Sequence, residues 1–152
     1  MTELQDLLSL EIEATRSKRN KMLYVVSNHV SPDELEQVIQ QIGIPAVHVS
    51  LLLSEQLRML PLERRPFEVG KILRSLVMRV NNDVIFLNHI EYLFDRELKQ
   101  NPIRLFENLS GNKIIIIRWP GTVECGSLKY ATPEHHENYQ SDNSYASYII
   151  EI

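Results

Sequence analysis

The chain has 152 residues, 43% of them hydrophobic and 24% charged, with a formal net charge of −4. That length suits one domain able to bury roughly 70% of its unfolded surface, so no disulfide or metal staple is needed. Cys125, the sole cysteine, excludes an internal disulfide framework and suits a reducing compartment. It reads as a small loop residue, with a reactive thiol as the alternative. No run approaches the ~18 apolar residues that cross a bilayer, and no basic-then-apolar leader follows Met1, so a cytoplasmic protein with no membrane partner is expected.

The acidic balance argues against tight unaided binding to nucleic acid, yet the charge is uneven. Arg16, Lys18, Arg19 and Lys21 cluster early, and Arg58, Arg64, Arg65, Lys71, Arg74 and Arg79 recur through the middle. Beyond Lys129 there is no Lys or Arg, while Glu134, Glu137, Asp142 and Glu151 are acidic. A basic face with an acidic tail suits a partner-binding protein, and equally an ordinary solvated surface.

Along the chain, Thr2 and Gln5 form a capping box, and Leu4, Leu7, Leu8 and Ile12 follow helical spacing up to a charged stretch ending at Lys21. Met22–Val26 is a continuous apolar run, the mark of a strand covered on both faces. Ser31-Pro32-Asp33-Glu34 is a strong helix start, and Gly43 stops that helix after Leu35, Val38, Ile39 and Ile42. A second strand over Ala46–Val49 leads to a helix around Leu51–Met59. From Phe67, Val69, Ile72, Leu73, Leu76, Val77 and Val80 make one helical stripe, with Lys71, Arg74 and Arg79 mainly off it.

Asn81-Asn82 marks a turn before a third buried strand, Val84–Leu87. Helical stretches are expected at His89–Leu98 and Ile103–Leu109, then a fourth strand at Ile114–Ile117. Past Trp119-Pro120-Gly121 the pattern weakens; Ser127–Ala131 and Ala146–Ile152 read as extended. Buried strands alternating with helices predict a single-domain, three-layer α/β sandwich over 1–152 with a mainly parallel sheet. The core is similar to that of AAA-type P-loop NTPases, an analogy that places 22–27 beside 113–118.

In such a sheet a ligand belongs at the carboxyl ends of the strands. A P-loop after the first strand would carry G-x-x-x-x-G-K-[ST], whose backbone N–H groups and lysine hold phosphates. Here the stretch is Ser27-Asn28-His29-Val30-Ser31-Pro32-Asp33-Glu34, with no Gly or Lys, and with Asp33 and Glu34 already at the positive helix end. After the third strand a Walker B aspartate would hold magnesium; the positions are Asn88 and His89, and an amide is a poor ligand for a hard cation. Asn28, His29, Ser31, Asn88 and Glu91 are thus the positions of a degenerate nucleotide site, Glu91 reading more simply as a helix-terminus charge. No catalytic residue and no cofactor is assigned.

Phe86-Leu87-Asn88-His89-Ile90-Glu91-Tyr92-Leu93-Phe94-Asp95, Pro102-Ile103-Arg104-Leu105 and Asn108-Leu109-Ser110 resemble the BrxF family. These are small P-loop-containing proteins of type 3 BREX bacteriophage-exclusion systems. Arg118-Trp119-Pro120-Gly121 and the spacing Leu128-x-Tyr130-Ala131-x-Pro133-x-His135-x-Glu137-x-Tyr139 extend the likeness, which covers about 83–139. The resemblance implies an antiphage-defence component, with Asn88 where family members carry Asp. Its expected partners are other BREX proteins, among them the system's large ATPase, with DNA bound only indirectly or weakly.

The remaining constellations have plainer alternatives. Glu134-His135-His136-Glu137 resembles a ligand cluster, but adjacent residues seldom converge on one ion, and no metal site is expected. Trp119 either stacks on a base or caps the core. Tyr130, Tyr139, Tyr145 and Tyr148 form a partner surface or pack the last strands. The expectation is a non-catalytic adaptor whose docking residues are Arg118, Trp119, Glu134, His135, His136 and Glu137 on a segment turned off the sheet by Pro120-Gly121. The basic helix around Lys71, Arg74 and Arg79 is the second choice. Two alternatives stand beside it: an ATPase-like subunit completed by a partner or by homo-oligomerisation, and a DNA-binding accessory using the basic face.

Overall fold

The computed structural model describes residues 3–131 and 137–152. The four apolar runs form strands β1 (Met22–Val26), β2 (Ala46–His48), β3 (Val84–Asn88) and β4 (Ile114–Trp119). They alternate with helices α1 (Glu3–Thr15), α2 (Pro32–Ile42), α3 (Val49–Leu57), α4 (Arg65–Met78) and α5 (Pro102–Leu109). Every residue of β1 and β3 is buried, as expected of strands covered on both faces. Cap chemistry fixes α2 at both ends. Ser31 accepts the Glu34 amide, and Gly43 takes the left-handed conformation that ends the helix.

The main sheet runs β2-β3-β4-β1-β8 and is parallel throughout, β8 being Ile149–Glu151. The expected adjacency of β1 and β4 is present, with Met22 opposite Ile115 and Val26 opposite Trp119. Strand alternation divides the core into two layers. Leu23, Val25, Val84, Phe86, Ile114 and Ile116 pack with Leu8 and Ile12 of α1 and Leu35, Val38 and Ile39 of α2. Tyr24, Ile85, Leu87, Ile115 and Ile117 pack on the other face with Leu53, Val69, Leu73, Val77 and Phe106. The architecture is a three-layer α/β sandwich.

The first helix ends at Thr15, whose hydroxyl bonds back to the Glu11 carbonyl at 2.8 Å, where the charged stretch to Lys21 begins; Thr2 lies outside the described residues. Three expectations change. His89–Leu98 is two short 3-10 turns, Glu91–Phe94 and Arg96–Leu98. Ala146–Tyr148 belongs to a 3-10 turn over Asn143–Tyr148, and only Ile149–Glu151 is extended, as a fifth strand of the main sheet. The region after β4 holds a second, antiparallel sheet of β5 (Thr122–Glu124), β6 (Ser127–Tyr130) and β7 (Tyr139–Gln140). Its hairpin turns on Cys125 and Gly126, both at positive φ (52° and 79°), the pairing that a two-residue type I′ connection requires. Cys125 is exposed in that turn.

The small sheet folds back onto the core. Leu128 is 0% exposed, and Trp119, 1% exposed, donates its indole N–H to the Lys129 carbonyl at 2.8 Å. Gly121 is required by that approach: a Cβ there would overlap the Lys129 carbonyl oxygen and stand 2.9 Å from its carbon. Phe94 stacks on Tyr130 at 4.0 Å and meets Trp119 edge-on at 5.4 Å, while Tyr139 packs against both. The described part of 118–139 therefore closes the sandwich in place of a projecting surface.

Candidate functional site

The carboxyl ends of β1, β3 and β4 meet on one edge, and the loop from β1 into α2 lies there. Its backbone donors are already engaged. The amides of Asn28, His29 and Val30 all point to the carbonyl oxygen of Ile152, at 2.7, 2.9 and 3.5 Å. The first of these continues the β1–β8 ladder, and the other two bend onto the same oxygen as the chain turns into α2. Successive N–H groups converging on one oxygen make an anion-binding concavity; here the chain supplies the oxygen. Two of its side chains are engaged as well, Asn28 donating to Glu151 at 2.7 Å and Ser31 capping α2. Asp33 and Glu34 stand in the first turn of α2, and their charge would repel an incoming phosphate.

At the end of β3, Asn88 is 4% exposed and its amide group is used on both sides. Its Nδ2 donates to Glu36 of α2, and its Oδ1 accepts the His89 amide at 3.0 Å. An aspartate would lack the donor and would set one carboxylate against another. His89 takes a left-handed φ of 52°, a conformation uncommon outside glycine. Its ring stacks on His48 at 4.2 Å, and its Nε2 lies 3.7 Å from Glu36. His48 in turn caps α3, Nδ1 accepting the Leu51 amide at 3.1 Å. Ser50 ties the same corner, donating its amide to the His89 carbonyl and accepting the Tyr92 amide on its hydroxyl. Glu91 opens the 3-10 turn that follows.

Strand alternation puts Arg118 on the α2 side of the sheet, as it does Asn88. The Nε of Arg118 and the hydroxyl of Ser27, at the ends of β4 and β1, are buried without a hydrogen-bond partner among the described residues. Of the six docking candidates, Trp119 lies in the core, Arg118 is half-buried, and Glu134, His135 and His136 fall outside the described residues. Glu137 is half-buried and lines a hollow beside Arg96 and Asn138. Among the described residues no group of three His, Cys, Asp or Glu is placed to hold a metal ion, and no helix is long and apolar enough to cross a membrane.

Asn28, His29 and Ser31 thus gather at one end of this edge and Asn88 at the other. The residues that engage them, Ile152, Glu151 and Glu36, carry no signal in the sequence: Glu36 is one of several polar positions on α2, and Ile152 closes a short apolar strand. His48 is the exception, since a hydrogen-bonding residue directly before a helical run suits a cap. Searches of family models, curated proteins and solved structures return no match to this chain.

Proposed function

We propose that this protein is a non-catalytic adaptor of a type 3 BREX antiphage system, built on a P-loop-like domain whose nucleotide site is closed, and acting through protein–protein contacts. The observation that carries the non-catalytic part is the engagement of the Asn28, His29 and Val30 amides by the Ile152 carbonyl. A triphosphate entering there would have to displace a strand end, against the charge of Asp33 and Glu34 and with no lysine to assist. The hydrogen bond between Asn88 and Glu36 supports the same reading at the magnesium position. The strand order, with the fourth strand between the first and third, supports kinship with AAA-type cores. The resemblance of 83–139 to BrxF supplies the biological setting.

Isothermal calorimetry with magnesium-ATP tests the closed site. The expected result is no measurable heat into the low millimolar range and no phosphate release; a micromolar dissociation constant would overturn the reading. Affinity capture from cells expressing the whole operon tests the adaptor role, with other operon products expected to be retained.

The unpartnered Arg118 Nε and Ser27 hydroxyl favour a second reading, a nucleotide-dependent subunit completed by a partner. Its signature would be magnesium-ATP binding that arises only in the captured complex and is lost on Arg118→Ala.

A further inference from the structure

Helix α4 turns Val69, Leu73 and Val77 into the core and leaves another stripe facing outward. Phe67, Gly70, Lys71 and Arg74 stand at i, i+3, i+4 and i+7, a spacing that aligns side chains on one face over about 10 Å. With Leu105 and Leu109 of α5 they line a groove of about 530 Å³ between the two helices. A smaller hollow of about 140 Å³ on the α3 side shares Lys71 and Ser75 and is also lined by Arg79. Neither depression has an Asp or Glu in its lining.

Three features of the groove lack an explanation within the fold. Phe67 is 79% exposed, unusual for a large aromatic. The side chains of Lys71 and Arg74, and of Arg79 in the adjoining hollow, make no ion pair or hydrogen bond among the described residues, whereas Arg64 on the preceding turn pairs with Glu68 at 3.6 Å. Gly70 interrupts a helix interior, where glycine is the poorest residue but proline, yet the space does not demand it. A Cβ there would meet only the Leu105 Cδ2, at an ordinary 3.9 Å. What the glycine does provide is an open groove floor.

We infer that the α4–α5 groove is a docking site for an acidic amphipathic segment of a partner protein, its apolar residues against Phe67, Gly70 and Leu105 and its carboxylates against Lys71 and Arg74. An apolar floor walled by unpaired cations is complementary to a helix with leucines on one face and glutamates beside them. A nucleic acid backbone would match the cations but leave Phe67 and the floor without a counterpart. The inference rests on the adaptor reading and names the chemistry of its partner.

The probe is a helix-favouring peptide of 14 residues with a leucine stripe flanked by glutamates, titrated into isotopically labelled protein. A version with lysine for every glutamate and a short DNA duplex serve as comparisons. The acidic peptide should shift the amide resonances of Gly70, Lys71, Arg74 and Leu105 and bind in the tens of micromolar. Affinity should weaken with added salt and fall about tenfold in the double variant Lys71→Glu, Arg74→Glu, as loss of a close charge pair would give. Gly70→Ala separates binding from folding: its melting temperature should rise by about 2–4 °C, while Gly70→Leu, which fills the floor, should abolish the shifts. Equal binding of the lysine peptide, tighter binding of the duplex at these residues, or unchanged affinity in both the charge variant and Gly70→Leu would overturn the inference. Magnesium-ATP calorimetry on the same sample reports separately on the closed nucleotide site, so the two readings fail independently.

Discussion

Gly121 is the residue on which the second half of the molecule turns. Pro120-Gly121 is legible in the sequence as punctuation after a buried strand, but its reason is not, because the clash that excludes a side chain comes from the backbone of Lys129 and Tyr130. Gly121→Ala must separate β6 from Trp119 or distort both, and we expect a loss of about 2–3 kcal/mol, measured by urea unfolding. Asn88 shows the same limit. Its place as a polar residue ending a buried strand can be read from the sequence, whereas its partner Glu36 lies 52 positions away on a helix face that nothing marks. Asn88→Asp should therefore confer no ATP hydrolysis. It should instead lower stability by about 1–2 kcal/mol at neutral pH, through loss of the bond to Glu36 and like-charge contact.

Elements were legible in proportion to their length and burial. β1, β3 and β4 are continuous apolar runs and α2 carries both of its caps, so their places follow from composition and cap chemistry. β8 is three residues long, and the 3-10 turn before it is held by contacts to distant elements. Tyr145 donates its hydroxyl to Glu107 of α5 at 2.7 Å, and Lys18 lies over the Tyr148 ring at 5.2 Å. Burial raises the Tyr145 phenol to about 12, with the bond to Glu107 adding to it, and burial likewise raises Tyr139 to about 12. Each group holds its proton more tightly folded than unfolded, so its contribution is complete below pH ~10, the ordinary tyrosine value, and is lost as the pH rises toward 12. Chemical stability followed against pH should be level up to about pH 10 and then fall. In Tyr145→Phe that fall should be shallower.

On the scale of the whole molecule, the sandwich was legible because β1, β3 and β4 announce burial on both faces and the segments between the strands are helical. The small antiparallel sheet was not, because β5 and β7 are too short for a periodic signal, and Tyr139 of β7 is covered by Trp119 and Phe94 from outside its own strand. Trp119, the single tryptophan, touches Tyr24 of the main sheet, Phe94 of the 3-10 turn after β3 and Tyr139 of the small sheet. Its fluorescence and the far-ultraviolet circular dichroism should therefore report one coincident unfolding transition; separated midpoints would show that the small sheet unfolds on its own. The backbone oxygen of Ile152, held by three amides at the carboxyl edge of the sheet, has a consequence for stability. A domain that takes up a nucleotide becomes more stable as that nucleotide accumulates, through mass action. When the occupying oxygen belongs to the same chain, its effective concentration is fixed by covalent connection. On the closed-site reading proposed above, the fold would keep one stability whatever the energy charge of the cell, and its unfolding midpoint should be the same with and without magnesium-ATP.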